Sequence, residues 1–449
     1  MENPVPSSPP NHHFLLFRGI RGLLRCDEAE VVSGIARYVM TQYPSLRIGS
    51  KWMARTRKTP IPPFFALLGG LTRSLEVLRP QSREGVVWVA RLGNERRAIQ
   101  QVIAPLESEM NLTELKFSRR PDSASISALA AMRIKGLATT ARRIMRLTRL
   151  LHRRYEFFRL LRVVELIGYY ASYLRILQES DFKLAVMSSH SNPHGIAFNL
   201  AARKSRVPVV LITHGMPVRP VAKLAYDLAL VHCEAARQIY LEEGSRIDRI
   251  LIHGRRREYS AMRVQLPQRL AVGVFLCKDV NEENFRRMID CLLTDARVFR
   301  IIVRPHPKNL WLGLHAWIDS RNESRLRISR DRSPSADVAA SDVVLGGNSS
   351  VLVDAVTAGR PSGYVAGLDY GPPDLHSFVA RGLIYPVENW NGGIDFDQML
   401  DFYRRPEWID GLRFFARIDE DDASVEQEFR SLMLQVAGHP DRDAPAGFC

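Results

Sequence analysis

The sequence is poor in cysteine, and its cysteines never fall at paired spacings. Only five occur, at positions 26, 233, 277, 291 and 449, and none forms a CxxC. An odd, scattered set fits neither a disulfide framework nor a zinc site, and it points to a reducing compartment. Long apolar runs are missing as well. The longest stretch free of Asp, Glu, Lys and Arg, residues 184–202, reads SSHSNPHG at its centre. That is too polar to cross a bilayer, which needs ~20 mostly apolar residues. Met1 to Pro10 is rich in Pro and Ser and lacks the basic flank and apolar run of a signal peptide. Neither GxxxxGK[ST] nor GxGxxG occurs, which argues against P-loop and dinucleotide enzymes. HExxH and GxSxG are absent too, so zinc proteolysis and serine hydrolysis have no support. No internal repeat is visible.

Acidic residues are also in short supply. Asp plus Glu is 48 against 63 Lys plus Arg, a net charge of +15 over 449 residues. Such a surplus favours an anionic partner: a nucleotide, a phosphorylated substrate, nucleic acid or an acidic membrane face. Residues 133–162 hold ten Lys/Arg and one acid, Glu156, and so carry nine of those fifteen charges. Ile144, Leu147, Leu151, Tyr155 and Phe158 recur there at helical spacing, while Arg142, Arg146, Arg149 and Arg153 fall on another side. A basic amphipathic helix of this kind can lie on an anionic bilayer. It can equally be a solvated helix whose apolar stripe packs inward. No recognition motif accompanies the charge, so nucleic acid is not expected as a partner.

At 46% apolar and 25% charged residues the chain has the composition of a soluble globular protein. Its length suggests two or three domains at about 100–200 residues each. Short β-branched runs alternate with helical patterns, the mark of parallel sheets with crossover helices. Expected strands in the first half are 13–19, 85–90, 183–189, 208–214, 228–233 and 249–254. A second series follows at 270–276, 299–306, 326–329, 342–347 and 361–366. Near-continuous apolar character predicts strands covered on both faces. The fold class expected is α/β, with two Rossmann-like doubly wound domains. We divide the chain into a tail at 1–12, an N-terminal acceptor domain at 13–262 with the basic amphipathic helix at 133–178, a C-terminal donor domain at 263–390, and helices at 391–449 that pack back on the domains.

Ligands of open α/β sheets sit beyond the carboxyl ends of the strands, so chemistry is sought in the loops there. Arg304-Pro305-His306-Pro307 with Lys308 ends one strand; its prolines fix the backbone around one imidazole. Flanked by two cations, His306 suits a phosphate, as a donor or as an acid toward a leaving oxygen. An ordinary turn is the plainer reading. A second strand ends in Gly346-Gly347, and Asn348, Ser349 and Ser350 then open a helix at 351–358. Free amides, hydroxyls and the helix dipole make that mouth a phosphate site, with Asp354 one turn in for a ribose hydroxyl, unless the polar residues simply cap. A third junction delivers His214 to Gly215, where an imidazole suits a general base or a purely structural contact. Lys278 could reach a phosphate, and Arg91, Asn94, Ser188, Ser189, His190 and His194 lie where an acceptor would bind. Ser191 or Asn192 can cap the helix after Pro193, Ser333-Pro334 marks another helix start, and Glu242-Glu243-Gly244 reads as a glycine-capped helix end.

Taken in order, these pieces resemble the C-terminal half of GT-B glycosyltransferases that build bacterial capsules and related surface polymers. RPHP followed by SS is similar to the HP and SS motifs of bacterial polysialyltransferases and Kdo-type capsule transferases. THGMP, RILIHGRRRE and SDVVLGGNSSVLVDAVTAGRP also resemble the CDP-glycerol glycerophosphotransferases. The resemblance covers residues 183–366. It implies a GT-B fold whose domains face a central cleft, transfer without a metal or other cofactor, and a cytoplasmic location on the inner face of the cell membrane. It places His306, Ser349 and Ser350 on the phosphates of a nucleotide-activated sugar donor, CMP- or CDP-linked, and makes His214 a candidate base. The acceptor would be a polysaccharide or a lipid-linked molecule, and 133–162 would meet an anionic membrane surface. The acidic motif that supplies the base in polysialyltransferases has no match, and three arginines after Gly254 replace a proline-bearing turn. Two other readings stay open, a nucleotide-sugar 2-epimerase and a non-catalytic membrane-associated assembly factor on the same scaffold.

Overall fold

The computed structural model of the protein describes residues 77, 80, 82–117, 165–166, 168–170, 172–217, 219, 221–253, 259–307, 311–329, 333–388, 390–416 and 422–438. The expected strand at 13–19, the basic segment 133–162 and Lys308 lie outside the described residues. In chain order come β1 (Glu84–Val89), α1 (Gly93–Ile103), β2 (Leu112–Glu114), β3 (Asp181–Met187), α2 (Pro193–Lys204), β4 (Val209–Ile212), β5 (Ala225–Val231), α3 (Glu234–Glu242) and β6 (Arg246–Ile252). Then follow β7 (Leu270–Phe275), α4 (Glu282–Thr294), β8 (Val298–Arg304), α5 (Leu314–Ser320), β9 (Leu326–Ile328), α6 (Pro334–Ala339), β10 (Val343–Gly346), α7 (Val351–Thr357), β11 (Ser362–Val365) and β12 (Tyr385–Val387). Three helices close the series: α8 (Phe396–Arg404), α9 (Trp408–Phe415) and α10 (Asp422–Gly438).

The chain divides into two compact units, one of residues up to Val231 with Gln238–Leu251 and Ala423 onward, the other of His232–Arg237 and Ile252–Asp422. Each is built on a six-stranded sheet. The first runs β2-β1-β3-β4-β5-β6 and the second β12-β11-β10-β7-β8-β9, with parallel pairing throughout the recorded registers. The second order is that of a Rossmann sheet: three strands step outward from β7, then the chain returns to β10 and steps the other way. In the first sheet the order reverses between β1 and β3.

Both cores follow from the strand pattern. In β3, Leu184 and Val186 face one side with Val86 and Trp88 of β1, and this side is covered by Ile99 and Ile103 of α1 and by Val425, Phe429 and Met433 of α10. The last helix therefore closes the core of the first unit. Alternation turns Ala185 and Met187 to the opposite face, where α2 packs. In the second unit β7 is central and all six of its residues are buried. Local chemistry sets the helix starts. The Asn281, Ser333 and Asp395 side chains accept from Asn284 N (3.3 Å), Ser335 N (3.3 Å) and Gln398 N (2.8 Å). Gly244, beyond α3, takes φ 82°, which only glycine adopts at little cost.

Two expectations need correction. The strand expected at 249–254 as buried is β6, and its pattern is intermediate and exposed. Among the described residues it is the edge strand of its sheet, with a neighbouring strand on one side only. The short strands β2 and β12 were not expected from the sequence; both are three residues long and exist through pairing. No described helix is long and apolar enough to cross a membrane.

Candidate functional site

In the second unit the candidate residues gather at one edge of the sheet. Phe275 of β7 pairs with Gly346 of β10 on one side and Arg304 of β8 on the other, so these three strands end level. Lys278 follows the first, Gly347–Ser350 the second and His306 the third. The reversal of strand order, between β7 and β10, falls on Lys278 and on the Gly347–Ser350 turn. Lys278 is half-buried and His306 exposed. Ser349 Oγ accepts from Val351 N (3.4 Å), Ser350 is exposed at the N-cap of α7, and Asp354 is half-buried in the first turn.

Two of these loops are braced by acids that the sequence does not announce. The Arg304 guanidinium, expected to meet a phosphate, is 2.5 Å from Asp337 on α6, which is 1% exposed. It also donates to Ser333 O (3.2 Å), while Ser329 Oγ donates to Asp337 (2.6 Å). Arg304 thus ties the end of β8 to the start of α6 and fixes the root of the His306 turn. Asp369, in the loop after β11, does the same for the glycine turn. Its carboxylate accepts from Asn348 N (2.7 Å), Asn348 Nδ2 (2.9 Å) and Gly371 N (3.0 Å). Asn348 Oδ1 in turn accepts from Leu375 N at 2.7 Å. Gly347 is required here, because a Cβ would sit 2.0 Å from Asp369 Oδ2. Asn348, expected on a phosphate, is therefore a loop clamp. Burial, then the adjacent Asp369, pushes the Cys277 thiol well up, so it stays protonated.

At the ends of β3 and β4 the first unit builds its edge from Ser, His and Tyr side chains. β1, β3 and β4 are neighbours, with Val89 opposite Met187 and Met187 opposite Leu211. Ser188 and Ser189 follow β3 and are 0% and 4% exposed; His190 is buried and His214, beyond β4, half-buried. Ser188 Oγ lies 2.8 Å from His214 Nδ1, and Tyr240 Oη of α3 lies 2.7 Å from His190 Nδ1. Burial, and secondly the neighbouring His214, pushes His190 down to about 4. Burial pushes the Tyr240 phenol well up. Asn192 Nδ2 donates to Ser189 Oγ (2.9 Å) rather than capping α2. Gly195 makes that turn possible, since a Cβ there would meet Ser189 O at 1.9 Å.

Arg91 occupies the end of β1. Its guanidinium donates to Tyr169 Oη (2.8 Å), lies 3.9 Å from Glu165 and sits against the Phe117 and Tyr169 rings at 5.8 and 5.9 Å. A third of its side chain stays exposed. Beneath it Glu95, fully buried, reaches back to accept from Arg91 N (2.8 Å) and Leu92 N (3.1 Å) at the start of α1. His194, expected to touch an acceptor, is 2% exposed and packs edge-on against Phe117 (5.7 Å) and Tyr169 (6.2 Å). It belongs to the wall behind Arg91. Among the described residues no group of three or more His, Cys, Asp or Glu is disposed to hold a metal ion.

The structure thus gathers Arg91, His190 and His214 along one edge of the first sheet, and Lys278, His306 and Gly347–Ser350 along one edge of the second. Tyr240, Asp337, Asp369 and Glu95 complete those edges and were missed; each is recognisable only through its partner. The sequence matches no protein-family model and no curated protein. Among solved structures it is similar to UDP-GlcNAc 2-epimerase from Neisseria meningitidis bound to UDP-GlcNAc (12% identity, TM-score 0.45, covering 78% of this chain and 99% of that one). It is also similar to the calicheamicin glycosyltransferase CalG4 (13%, TM-score 0.47, 81% and 100%) and to Acinetobacter baumannii MurG (11%, TM-score 0.43, 79% and 99%).

Proposed function

We propose that the protein is a metal-independent glycosyltransferase that moves a sugar, or a polyol phosphate, from a nucleotide-activated donor to a surface polysaccharide or lipid-linked acceptor. One observation carries this reading. In the second sheet the strand order reverses where Lys278 and the Gly347–Ser350 turn stand, with His306 on the adjoining strand end, and doubly wound sheets bind nucleotides at such a reversal. Lys278, His306, Ser349 and Ser350 would hold the donor phosphates and Asp354 the ribose. In sugar transfer the acceptor hydroxyl gives its proton to a base, His214 in this reading, and its oxygen bonds to the anomeric carbon while the bond from that carbon to the phosphate oxygen breaks. The electron pair leaves with the nucleotide, and fixed donors facing it each stabilise it by ~2.7–4 kcal/mol. Arg91, His190 and His214 would face the acceptor, with His194 as their support. The donor would be CMP- or CDP-linked, and the polymer of capsule type. The inner face of the cell membrane as location and 133–162 as its contact belong to the same reading.

A thermal-shift panel of CMP, CDP, UDP and GDP tests it. A nucleotide at 100 times its Kd adds ~2.7 kcal/mol of stability. Stabilisation by CMP or CDP is expected; indifference to all four overturns the reading in favour of a non-catalytic scaffold. With the donor in hand, His306→Ala should lower turnover ~100–1,000-fold with the fold intact. Near wild-type activity in that variant removes His306 from the site. Appearance of an epimer from UDP-GlcNAc alone would assign the 2-epimerase reaction instead.

A further inference from the structure

One titratable group of the second unit has no part in the site described above. His376 lies between β11 and β12, in a loop moored to the Gly347–Ser350 turn. Asn348 Nδ2 donates to Pro372 O (2.9 Å), and Asn348 Oδ1 accepts from Leu375 N (2.7 Å). Asp374 N donates to Tyr364 Oη (2.8 Å), and the Asp374 carboxylate accepts from Val379 N (3.1 Å) and Ala380 N (2.9 Å). Within this frame Asp374 and Ser377 stand at φ 45° and 59°, a left-handed backbone that is costly outside glycine. The ring of His376 stacks on the buried Phe378, with 5.0 Å between centroids and 26° between planes. Thus fixed, the imidazole hydrogen-bonds the backbone of Asn348. The N–H of Asn348 is already given to Asp369, so the bond goes to the carbonyl.

We infer that His376 is a positioning residue of the donor site: its neutral ring donates through Nε2 to Asn348 O and so fixes the peptide that leads into Ser349 and Ser350. The two ring nitrogens have unlike surroundings. Nδ1 is buried and, among the described residues, has no hydrogen-bond partner. A carbonyl only accepts, so the nitrogen that meets Asn348 O carries the proton, and that nitrogen is Nε2. A second proton on Nδ1 would be a buried N–H with no acceptor, which keeps the ring neutral. Burial pushes its pKa below the ordinary value, against the opposite pull of Asp374 and Asp369, the charged groups that face it. At the other end of the same peptide Ser349 N donates to Gly347 O (2.7 Å), so both of its polar atoms are held. That the two serines meet a phosphate rests on the transfer reaction proposed above; the hold on the turn does not.

Hydrogen exchange of the full chain, compared with His376→Phe and His376→Gln, tests the hold. Phe keeps a ring on Phe378 but has no donor, whereas Gln keeps an N–H about where Nε2 stood. In the Phe variant the amides of Ser349 and Leu375 should lose protection by about 3–10-fold, the worth of one neutral hydrogen bond, while those of β7 keep theirs. Gln should restore most of it. No loss in the Phe variant, or an equal loss in both, overturns the inference, since bulk rather than the proton would then hold the turn. If the Phe variant fails to fold, a long-range 1H–15N spectrum of the wild type labelled with 15N-histidine decides, the ring being assigned among the twelve by its absence in His376→Gln. A pyridine-like Nδ1 with a pyrrole-like Nε2 is expected at neutral pH; a pyrrole-like Nδ1 overturns it. The dissociation constant of CMP or CDP should rise by the same factor in the Phe variant and recover in Gln. A loosened turn with unchanged affinity would remove His376 from the donor site. Exchange needs no ligand, so a protein that binds neither nucleotide would count against the transfer reading alone.

Discussion

The two sheets solve one problem with different chemistry. Each must hold flexible loops still at its carboxyl edge, near the point where strand order reverses. The second unit does this with ions: Arg304 against Asp337, and Asp369 against the amides of Asn348 and Gly371. At β3 and β4 the first unit uses hydroxyls on imidazoles, Ser188 on His214 and Tyr240 on His190. Ionic braces fix a backbone strongly but use up the cation, which is why Arg304 is a strut rather than a phosphate ligand. Neutral braces fix a ring without using up a charge. Arg91 stands between these cases: Glu165 and Tyr169 orient its guanidinium, yet a third of it stays exposed.

The sharpest way to break the contrast is to remove the ionic partner. Asp337→Ala leaves the guanidinium of Arg304 uncompensated in a buried place, and breaking a buried pair from one side costs about 3–5 kcal/mol. Urea unfolding of the variant should show the loss in the transition of the second unit, with the first unit unmoved. A loss below about 1 kcal/mol would mean the pair is solvated, as surface pairs are.

A second prediction concerns pH and the neutral edge. Burial holds His190 at about 4 against an ordinary 6.5. Between those values the unfolded chain binds a proton that the folded chain refuses. The stability of the first unit is therefore full above pH 6.5 and falls as pH drops towards 4, by roughly 3 kcal/mol from this group. His190→Gln, whose amide oxygen can still accept from Tyr240, should flatten that window. An unchanged slope in the variant would locate the acid sensitivity in another group.

Most strands were legible because they are apolar runs between turn residues. β7, β8 and β10 lie within two residues of where the sequence placed them. The candidate histidines and the Gly347–Ser350 turn were legible for a related reason: they directly follow such runs. The braces were not. Tyr240 lies 50 residues from His190, Asp337 33 from Arg304, and Asp369 21 from Asn348. Nothing in the local pattern around any of them distinguishes it from a solvated tyrosine or acid. Burial and pairing are created by the crossover connections, and these appear only once the strand order is known. The role of Asn348 was misjudged for the same reason, since its partner arrives from the loop after β11.

The smallest expected effect falls on that clamp. In Asp369→Asn the shape is kept, but one of the two oxygens that take these three bonds becomes an NH2 facing an N–H. The Asn348 and Gly371 donors cannot all be satisfied, and an unmet buried donor costs about 1–3 kcal/mol. The cost should sit at the lower end, because Asp369 is only half-buried and water can take over part of the bonding. Hydrogen exchange distinguishes this from general loosening: the amides of Asn348 and Gly371 should lose protection, while those of the buried β7 should not. If β7 loses protection to the same degree, the carboxylate is holding the sheet rather than the turn, and the division between loop clamp and core would have to be redrawn.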